Sequence, residues 1–301
     1  MTDTYMAADL PFSGSPVVPQ MCDGSKTIHF RCRKGIACWN ACCSNIDISL
    51  TPYDILRLKQ RLGITSNDFL LHYTLPYEME QNGIAGVKLR PVENGTACQF
   101  MTPEGCSVYE DRPTACRYYP VALLSMRKQD EYTDTQSYAL VKEEHCLGHN
   151  EPRNITIDTY RQEQGLEEYD ELARGWRQLI LKKKSSGPSV GKPSKRSLQL
   201  SFMVCYDLDT FRNFVTSAGF SELYDLPTKE TNKILADDTA LMLFVFRFLR
   251  QVLFGENSIT LKQAAAEKRQ QRIQEKLQQI EHEAMEKRMA EQDSMYENPD
   301  D

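Results

Sequence analysis

The sequence predicts an α+β protein: a loop-rich, metal-stapled cysteine domain with short strands, then a helical C-terminal region and a long charged helix. Two observations carry this prediction. The chain has ten cysteines in 301 residues, and most of them crowd into two short segments of its first half. From about residue 158 onward, apolar residues recur at helical spacing. Strands are therefore expected only in the N-terminal half.

Composition narrows the classes of partner. The net charge is -6 and the pI is about 5.5, so no overall positive field favours nucleic acid or an anionic membrane surface. The N-terminus lacks the basic and apolar regions of a secretory signal. The most apolar segment, 240–254, is interrupted by Arg247 and Arg250, and we interpret it as a buried helix rather than a membrane span.

These features predict a cytoplasmic protein, in which thiols stay reduced and disulfides are rare. Cysteines this close together in sequence either form disulfides or bind metal, and the reducing cytoplasm favours metal binding. The composition divides the chain into an extended arm (1–21), the cysteine domain (22–150), a helix packing on it (151–184), a linker (185–196), a helical region (197–260) and a charged helical tail (261–301).

Local patterns place the first elements. Alternation of Ile46, Ile48 and Leu50 predicts a short strand. Thr51 followed by proline predicts a helix start, and Gly63 ends that helix. A second short helix begins near residue 66, a small antiparallel hairpin or meander is expected over 75–100, and a further strand region over 122–141.

Later patterns are helical. We predict one helix over Asp158 to Lys184, a helix over 207–215, and an apolar helix that begins near Asp237. From residue 261 to about 292 the chain is rich in charged residues and carries a thin apolar stripe: Ile273, Leu277, Ile280 and Ala284. We interpret this segment as a solvated single helix. The alternative is a weak coiled-coil seam through which the helix binds a protein partner.

Two segments hold most of the cysteines. Residues 30–43 read F-R-C-R-K-G-I-A-C-W-N-A-C-C, and residues 98–120 read C-Q-F-M-T-P-E-G-C-S-V-Y-E-D-R-P-T-A-C-R-Y-Y-P. A third motif, E-E-H-C-L-G-H, stands at 143–149. The predicted metal ligands are Cys32, Cys38, Cys42, Cys43, Cys98, Cys106, Cys116 and Cys146. Cys22 and Cys205 are interpreted as small buried apolar residues.

Thiolates are soft ligands for zinc and iron, and one zinc or one four-iron cluster takes about four of them. Eight ligands therefore fill two four-thiolate sites, or one site with spare thiols. Adjacent Cys42 and Cys43 would strain to share one small ion, because neighbouring side chains point apart. The spacing matches neither a zinc ribbon nor a ferredoxin, so the cofactor is left as an iron–sulfur cluster or zinc.

The two cysteine segments resemble the YkgJ-type cysteine-cluster family over about residues 28–150. That family is described as a zinc- or iron-chelating domain, its members are often labelled iron–sulfur oxidoreductases, and the related flagellin lysine N-methylases share the cluster. The chain departs from the usual C-x2-C-x2-C-C by reading C-x5-C-x3-C-C. Because the first spacing is longer, Cys32 is not among the positions that match the family's pattern. The matching positions are Cys38, Cys42, Cys43, Cys106 and Cys116.

Other residues have weaker claims to the site. Arg112 and Arg117 stand beside predicted ligands and are candidates to donate hydrogen bonds to cluster sulfur; salt bridging is an equally good interpretation. His145 and His149 are candidate ligands, but an isolated His is more often structural.

Three functions remain open at this stage. The first is a metal-binding protein, with an iron–sulfur or zinc centre and an oxidoreductase-like role. The second is a protein-modifying, lysine N-methylase-like enzyme, and the third is a metal-stapled structural or adaptor protein. No glycine-rich nucleotide loop and no common hydrolase motif occurs in the sequence.

Overall fold

The computed structural model describes residues 21–79, 84–126, 135–185 and 195–297. It confirms the α+β class, with small antiparallel sheets in the first half and helices in the second. The expected N-terminal arm (1–21) and the linker (185–196) lie almost wholly outside the described residues.

The described residues contain eleven α-helices. Their bounds are α1 Pro52–Leu62, α2 Ser66–Tyr73, α3 Thr114–Tyr118, α4 Ile157–Glu163, α5 Leu166–Ser185, α6 Lys195–Tyr206, α7 Leu208–Val215, α8 Ala218–Leu223, α9 Thr228–Ala236, α10 Asp238–Phe254 and α11 Gln263–Glu297. None of them is both long and apolar enough to cross a membrane within the part of the chain that the structure describes.

The strands form four small antiparallel sheets. Their bounds are β1 Thr27–His29, β2 Ser49–Leu50, β3 Thr74–Met79, β4 Ile84–Leu89, β5 Met101–Thr102, β6 Gly105–Cys106, β7 Val121–Met126, β8 Thr135–Leu140 and β9 Asn154–Thr156. β1 pairs with β9, β2 and β3 flank β4, β5 pairs with β6, and β7 pairs with β8. The predicted hairpin and the later strand region are thereby confirmed.

Helix α1 begins and ends as the sequence predicts. The side chain of Thr51 accepts a hydrogen bond from Asp54 N, and the Asp54 carboxylate accepts one from Thr51 N, which forms a capping box. At the other end Gly63 adopts a positive φ of 65°. Glycine reaches this conformation without the steric cost that other residues meet, so the helix stops there.

The prediction of one helix over Asp158 to Lys184 is wrong. The segment forms two helices, α4 and α5, separated at Gly165 with a φ of 63°. The first begins one residue earlier, at Ile157, because Thr156 caps it through the hydrogen bond from Thr159 N. The apolar periodicity continues across the break, which explains why the sequence reads as one helix.

The main hydrophobic core joins the helices of the second half to α1, α2 and β4 of the first half. Six aromatic side chains on α7, α8, α10 and the loop after α8 pack ring against ring: Phe211, Phe214, Phe220, Tyr224, Phe244 and Phe248. The helix predicted to start near Asp237 is confirmed, since that carboxylate caps α10 by accepting from Thr239 N. Cys205 is 9% exposed in this core, as expected for a buried apolar residue.

A second, smaller core joins β1, β9 and the helices α3 to α5. It is built by Ile28, Phe30, Tyr118, Val121, Tyr138, Ile155, Ile157, Tyr160 and Leu166. Partly buried Cys22 packs on this core and forms an isolated bridge with Tyr138. Because β1 and β9 flank the cysteine-rich segment, the second core holds its two ends together.

A charged contact fixes α1 to the helical region. The ammonium group of Lys59, 6% exposed, lies 2.9 Å from Asp209 Oδ1 and 3.2 Å from Asp238 Oδ2. These carboxylates belong to α7 and α10. Two acidic partners compensate the desolvation of one buried cation, which is the condition for a buried charge to be tolerated.

Candidate metal centre

The eight predicted ligands come from separate parts of the chain. Cys32 and Cys38 lie in the loop after β1, and Cys42 and Cys43 end that loop in a 3-10 turn at Ala41–Cys43. The other four are Cys98 in the loop after β4, Cys106 at the end of β6, Cys116 in α3 and Cys146 in the loop after β8.

The first cysteine loop packs against the β5–β6 hairpin. Asn40 takes a left-handed conformation with φ 64°, and its Nδ2 donates to Thr102 O at 2.7 Å. The backbone N of Cys98 donates to Cys43 O at 2.8 Å. Gly105 leaves room for the indole of Trp39, because a Cβ there would lie 2.9 Å from Cζ2. The loop is therefore held next to Cys98 and Cys106.

The same loop also contacts the segment that carries Cys146. The backbone N of Leu147, the next residue, donates to Cys38 Sγ at 3.3 Å. A few residues upstream, Arg31 N donates to Gly148 O at 3.0 Å. Cysteines more than a hundred residues apart in sequence are brought together in this way.

Cys116 is placed by a buried carboxylate on another helix. Asp54 of α1, 0% exposed, accepts from Thr114 N at 2.8 Å and from Thr114 Oγ1 at 2.6 Å. These bonds satisfy the free N–H at the start of α3, which carries Cys116 two residues later. Sequence reasoning did not identify Asp54 as an organiser of the site, because the capping pattern alone explains its presence.

The adjacent thiols of Cys42 and Cys43 lie within hydrogen-bond distance, and either sulfur can be the donor. Their Sγ atoms are 3.9 Å apart. This hydrogen bond lowers the pKa of Cys42 to about 7 and raises the pKa of Cys43 above its ordinary value. Cys42 is therefore the more readily ionised of the two thiols, and thiolate is the form that binds metal.

The remaining shifts show that the thiols lie within electrostatic reach of one another. Desolvation raises the pKa of Cys32 to about 11, and the thiols of Cys42, Cys38 and Cys146 contribute to the increase. Each thiolate raises the pKa of its neighbours, because the negative charges repel one another. A cation placed among them removes this repulsion and stabilises the ionised form.

A second group of shifts belongs to the cysteines nearer the main core. Burial raises the pKa of Cys116, and Cys98, Cys106 and Cys42 add to this effect. Desolvation also raises the pKa of Cys98, with contributions from Cys106 and Cys42. Cys42 thus influences thiols of both groups and lies between them.

The two arginines beside the predicted ligands have other hydrogen-bond partners. Arg117 donates to Arg112 O at 3.1 Å, to Gln164 O at 2.8 Å, to Tyr169 Oη at 3.1 Å and to Glu110 O. These bonds tie α3 to the loop between α4 and α5.

Arg112 donates to Tyr109 O at 2.7 Å and to Gln164 Oε1 at 2.5 Å. Its positive charge partly offsets the desolvation that raises the pKa values of Cys32 and Cys106. Its guanidinium acts on the site through charge, while the two hydrogen bonds described above go to oxygen atoms.

The two candidate histidines have structural contacts. The ring of His149 packs on Phe30 with centroids 5.2 Å apart, and its Nε2 lies 3.1 Å from Val141 O. His145 Nε2 is 3.5 Å from Glu143 Oε2 at the surface. The carboxylate of Glu143, which sequence reasoning passed over, lies near enough to Cys42 to oppose its ionisation.

The chemistry of the donor set fits a thiophilic metal, because many thiols and few carboxylates converge. Among residues 21–79, 84–126, 135–185 and 195–297, however, no three His, Cys, Asp or Glu side chains stand in an arrangement ready to hold an ion. Metal binding therefore requires the sulfurs to move closer together than they stand in this structure.

Comparison with known families addresses the same segment. Residues 31–147 match the model of the CxxCxxCC family, described as "Putative zinc- or iron-chelating domain". This segment of the chain is therefore similar to the cysteine-cluster domains that the model describes. The match confirms the resemblance predicted from the sequence, and the matched range includes all eight predicted ligands while excluding Cys22 and Cys205. No curated protein and no solved structure matches the chain.

Proposed function

We propose that the cysteine-cluster domain binds zinc or an iron–sulfur cluster through the eight thiols Cys32, Cys38, Cys42, Cys43, Cys98, Cys106, Cys116 and Cys146. The observation that carries this proposal is the convergence of distant cysteine segments. Cys43 O accepts from Cys98 N, and Cys38 Sγ accepts from the N–H that follows Cys146. Metal binding by ligands from separate segments couples to folding of the segments that supply them.

The two metals supply different chemistry. An iron–sulfur cluster carries electrons, whereas zinc bound by thiolates alone cross-links the chain. Both need reduced cysteines, so we place the protein in a reducing compartment such as the cytoplasm.

Metal analysis of anaerobically purified full-length protein tests the proposal. Iron with acid-labile sulfide and a brown colour identifies the cluster, and stoichiometric zinc in a colourless protein identifies the zinc centre. A variant with Cys98→Ser and Cys106→Ser should bind less metal than the wild type, whereas the matched control with Cys22→Ser and Cys205→Ser should keep the full content. Wild-type protein that retains neither metal, even after reconstitution with each, contradicts the proposal.

One observation favours an adaptor role in addition. Helix α11 extends beyond the folded body and exposes the apolar side chains Ile273, Leu277 and Ile280 to 50%, 54% and 52%. Under this second candidate function the metal stabilises the fold, and the helix recruits a protein. Deletion of residues 270–301 should then abolish partner binding and leave the metal content unchanged.

A further inference from the structure

We propose that the eight cysteines form two sets of four and bind two metal centres side by side. The inner set is Cys43, Cys98, Cys106 and Cys116. The outer set is Cys32, Cys38, Cys42 and Cys146. This inference rests on the proposed function and adds the number of centres and the assignment of each thiol.

The inner set belongs to the main hydrophobic core. Cys98 is a buried member of that core, and Cys43 and Cys106 pack against it. Backbone bonds connect all three, because Cys98 N donates to Cys43 O at 2.8 Å and Met101, which pairs with Cys106, donates to Cys98 O at 3.1 Å.

Cys116 joins this set through helix α3. The contacts of Thr114 with Asp54 hold α3 against α1, whose apolar face is part of the main core.

The outer set is linked to the second core and to the solvent-exposed part of the first loop. Cys146 packs against the second core instead of the main core. Its neighbour Leu147 donates to Cys38 Sγ, and the bond from Arg31 N to Gly148 O places Cys32 beside the same segment. Cys32 and Cys42 are both exposed.

The division between the sets passes between Cys42 and Cys43. These residues lie in a 3-10 turn, in which successive side chains point about 120° apart because there are three residues per turn. Cys43 therefore faces the main core while Cys42 faces solvent. With Sγ atoms 3.9 Å apart, the two cysteines can serve neighbouring centres, which a single small ion would not permit without strain.

Titration of the metal-free full-length protein with Co²⁺ under anaerobic, reducing conditions tests the division. Wild-type protein should bind two equivalents per chain, each with the visible absorption of tetrahedral thiolate-bound cobalt. The variant with Cys32→Ser and Cys146→Ser should bind one equivalent, because its inner set is intact. The control with Cys22→Ser and Cys205→Ser should bind two.

The outcomes separate the two proposals. Binding of one equivalent by wild-type protein, or loss of both equivalents in the Cys32→Ser, Cys146→Ser variant with unchanged circular dichroism, overturns the two-centre assignment and leaves metal binding standing. Failure of wild-type protein to bind Co²⁺, Zn²⁺ or iron overturns the proposed function, and this inference with it. A variant that loses its helical signal is replaced by Cys146→Ser alone, which should lose one equivalent.

A different observation concerns helix α11. We infer that it pairs with the same helix of a second copy of the chain in antiparallel orientation. From Gln270 to Met289, every residue whose side chain the structure describes is exposed. Ile273, Leu277, Ile280 and Ala284 follow the alternating four- and three-residue spacing of a coiled-coil seam.

The distribution of charge selects the occupant and its direction. Residues 263–279 contain four basic and two acidic residues, whereas residues 280–297 contain two basic and six acidic residues. This polarity opposes the helix dipole, which favours acidic residues near the N-terminus and basic residues near the C-terminus. An antiparallel copy places each basic half against an acidic half, while a parallel copy would place like charges together.

Sedimentation velocity of the full chain over a range of concentrations tests the pairing. We expect a dimer at low salt that weakens several-fold when the salt is raised from about 0.05 M to about 0.5 M, because salt screens exposed charges. Leu277→Glu should abolish the dimer, and the adjacent control Gln278→Glu should leave it intact. A monomer at every concentration, a dimer strengthened by salt, or a dimer insensitive to Leu277→Glu overturns the inference.

Discussion

The helical body and the first cysteine loop are held together by different forces. In α10, Leu241, Met242 and Val245 are each 0% exposed, and the aromatic side chains of α7 and α8 pack around them. In the cysteine loop, by contrast, Ile36 is the one fully buried residue between Arg31 and Asp47. Burial of apolar area stabilises the helical body, whereas the loop depends on hydrogen bonds and, under the proposed function, on the metal that its thiols bind.

This comparison predicts that removal of the metal separates the two regions. With a strong chelator, amide hydrogen exchange over 31–47 should become at least about 100-fold faster, equivalent to about 3 kcal/mol of lost protection. Exchange in α10 should change by less than about threefold, since its packing is apolar. Exchange measured by mass spectrometry before and after chelation checks this prediction. Equal acceleration in both regions would show that the metal stabilises the whole chain.

Truncation of a side chain in the main core should destabilise the helical body and leave metal binding unchanged. Phe248 is 1% exposed and its ring lies 5.4 Å from that of Phe211. Phe248→Ala should lower the free energy of unfolding by about 3–5 kcal/mol, because it removes buried apolar area and leaves a cavity. Urea unfolding measures the loss, and metal analysis of the folded fraction should show unchanged content. Phe248→Leu, which retains most of the volume, serves as the milder control.

Asp54 connects α1 to α3, which carries Cys116, so its removal should affect both stability and metal binding. Asp54→Ala leaves the N–H and hydroxyl of Thr114 without their partner, and we expect a loss of about 2–3 kcal/mol. It should also weaken metal binding, because α3 carries Cys116. Thr51→Ala removes the other half of the capping box, costs about 1 kcal/mol and should leave metal affinity unchanged. Equal metal affinities for Asp54→Ala and the wild type would contradict this role.

The smallest effect is a pH dependence of the helical body. Burial raises the pKa of Asp209, but hydrogen bonds from Ser66 N and Lys59 outweigh it, and the folded-state pKa is lowered. Asp209 therefore stabilises the fold above the unfolded-state pKa of about 3.9, and this contribution is lost as the pH falls through the lower folded-state value.

Because the side chain is 34% exposed, we expect about 1 kcal/mol at most. Unfolding of Asp209→Asn and the wild type between about pH 2 and pH 6 measures the difference. The two curves should converge at the acidic end, and parallel curves would refute the assignment.

The sequence predicts those features that are encoded locally. The helix start at Thr51, the glycine stop at Gly63 and the aspartate that begins α10 each depend on neighbouring residues, and all three are confirmed. The break at Gly165 escaped prediction because apolar residues keep their spacing on both sides of it. A single glycine within such a pattern is compatible with a continuous helix.

The grouping of the cysteines depends on long-range contacts that spacing alone does not reveal. Asn40 in a left-handed conformation, the room beside Gly105 for Trp39 and the bond from Asp54 to α3 together decide which thiols face each other. Sequence patterns select the cysteine residues as a set. Their division into neighbours requires the three-dimensional arrangement of the loops.

The pairing of β1 with β9 has an entropic consequence for the cysteine cluster. Thr27, Ile28 and His29 pair with Thr156, Ile155 and Asn154, so the whole intervening stretch becomes a closed ring of chain. The entropic cost of closing a loop grows only slowly with its length. The pairing of these two strands compensates that cost a single time for the whole stretch. A metal that joins the sulfurs, as proposed, then connects points that are already confined. The chain therefore loses less conformational entropy on metal binding than an open polypeptide would.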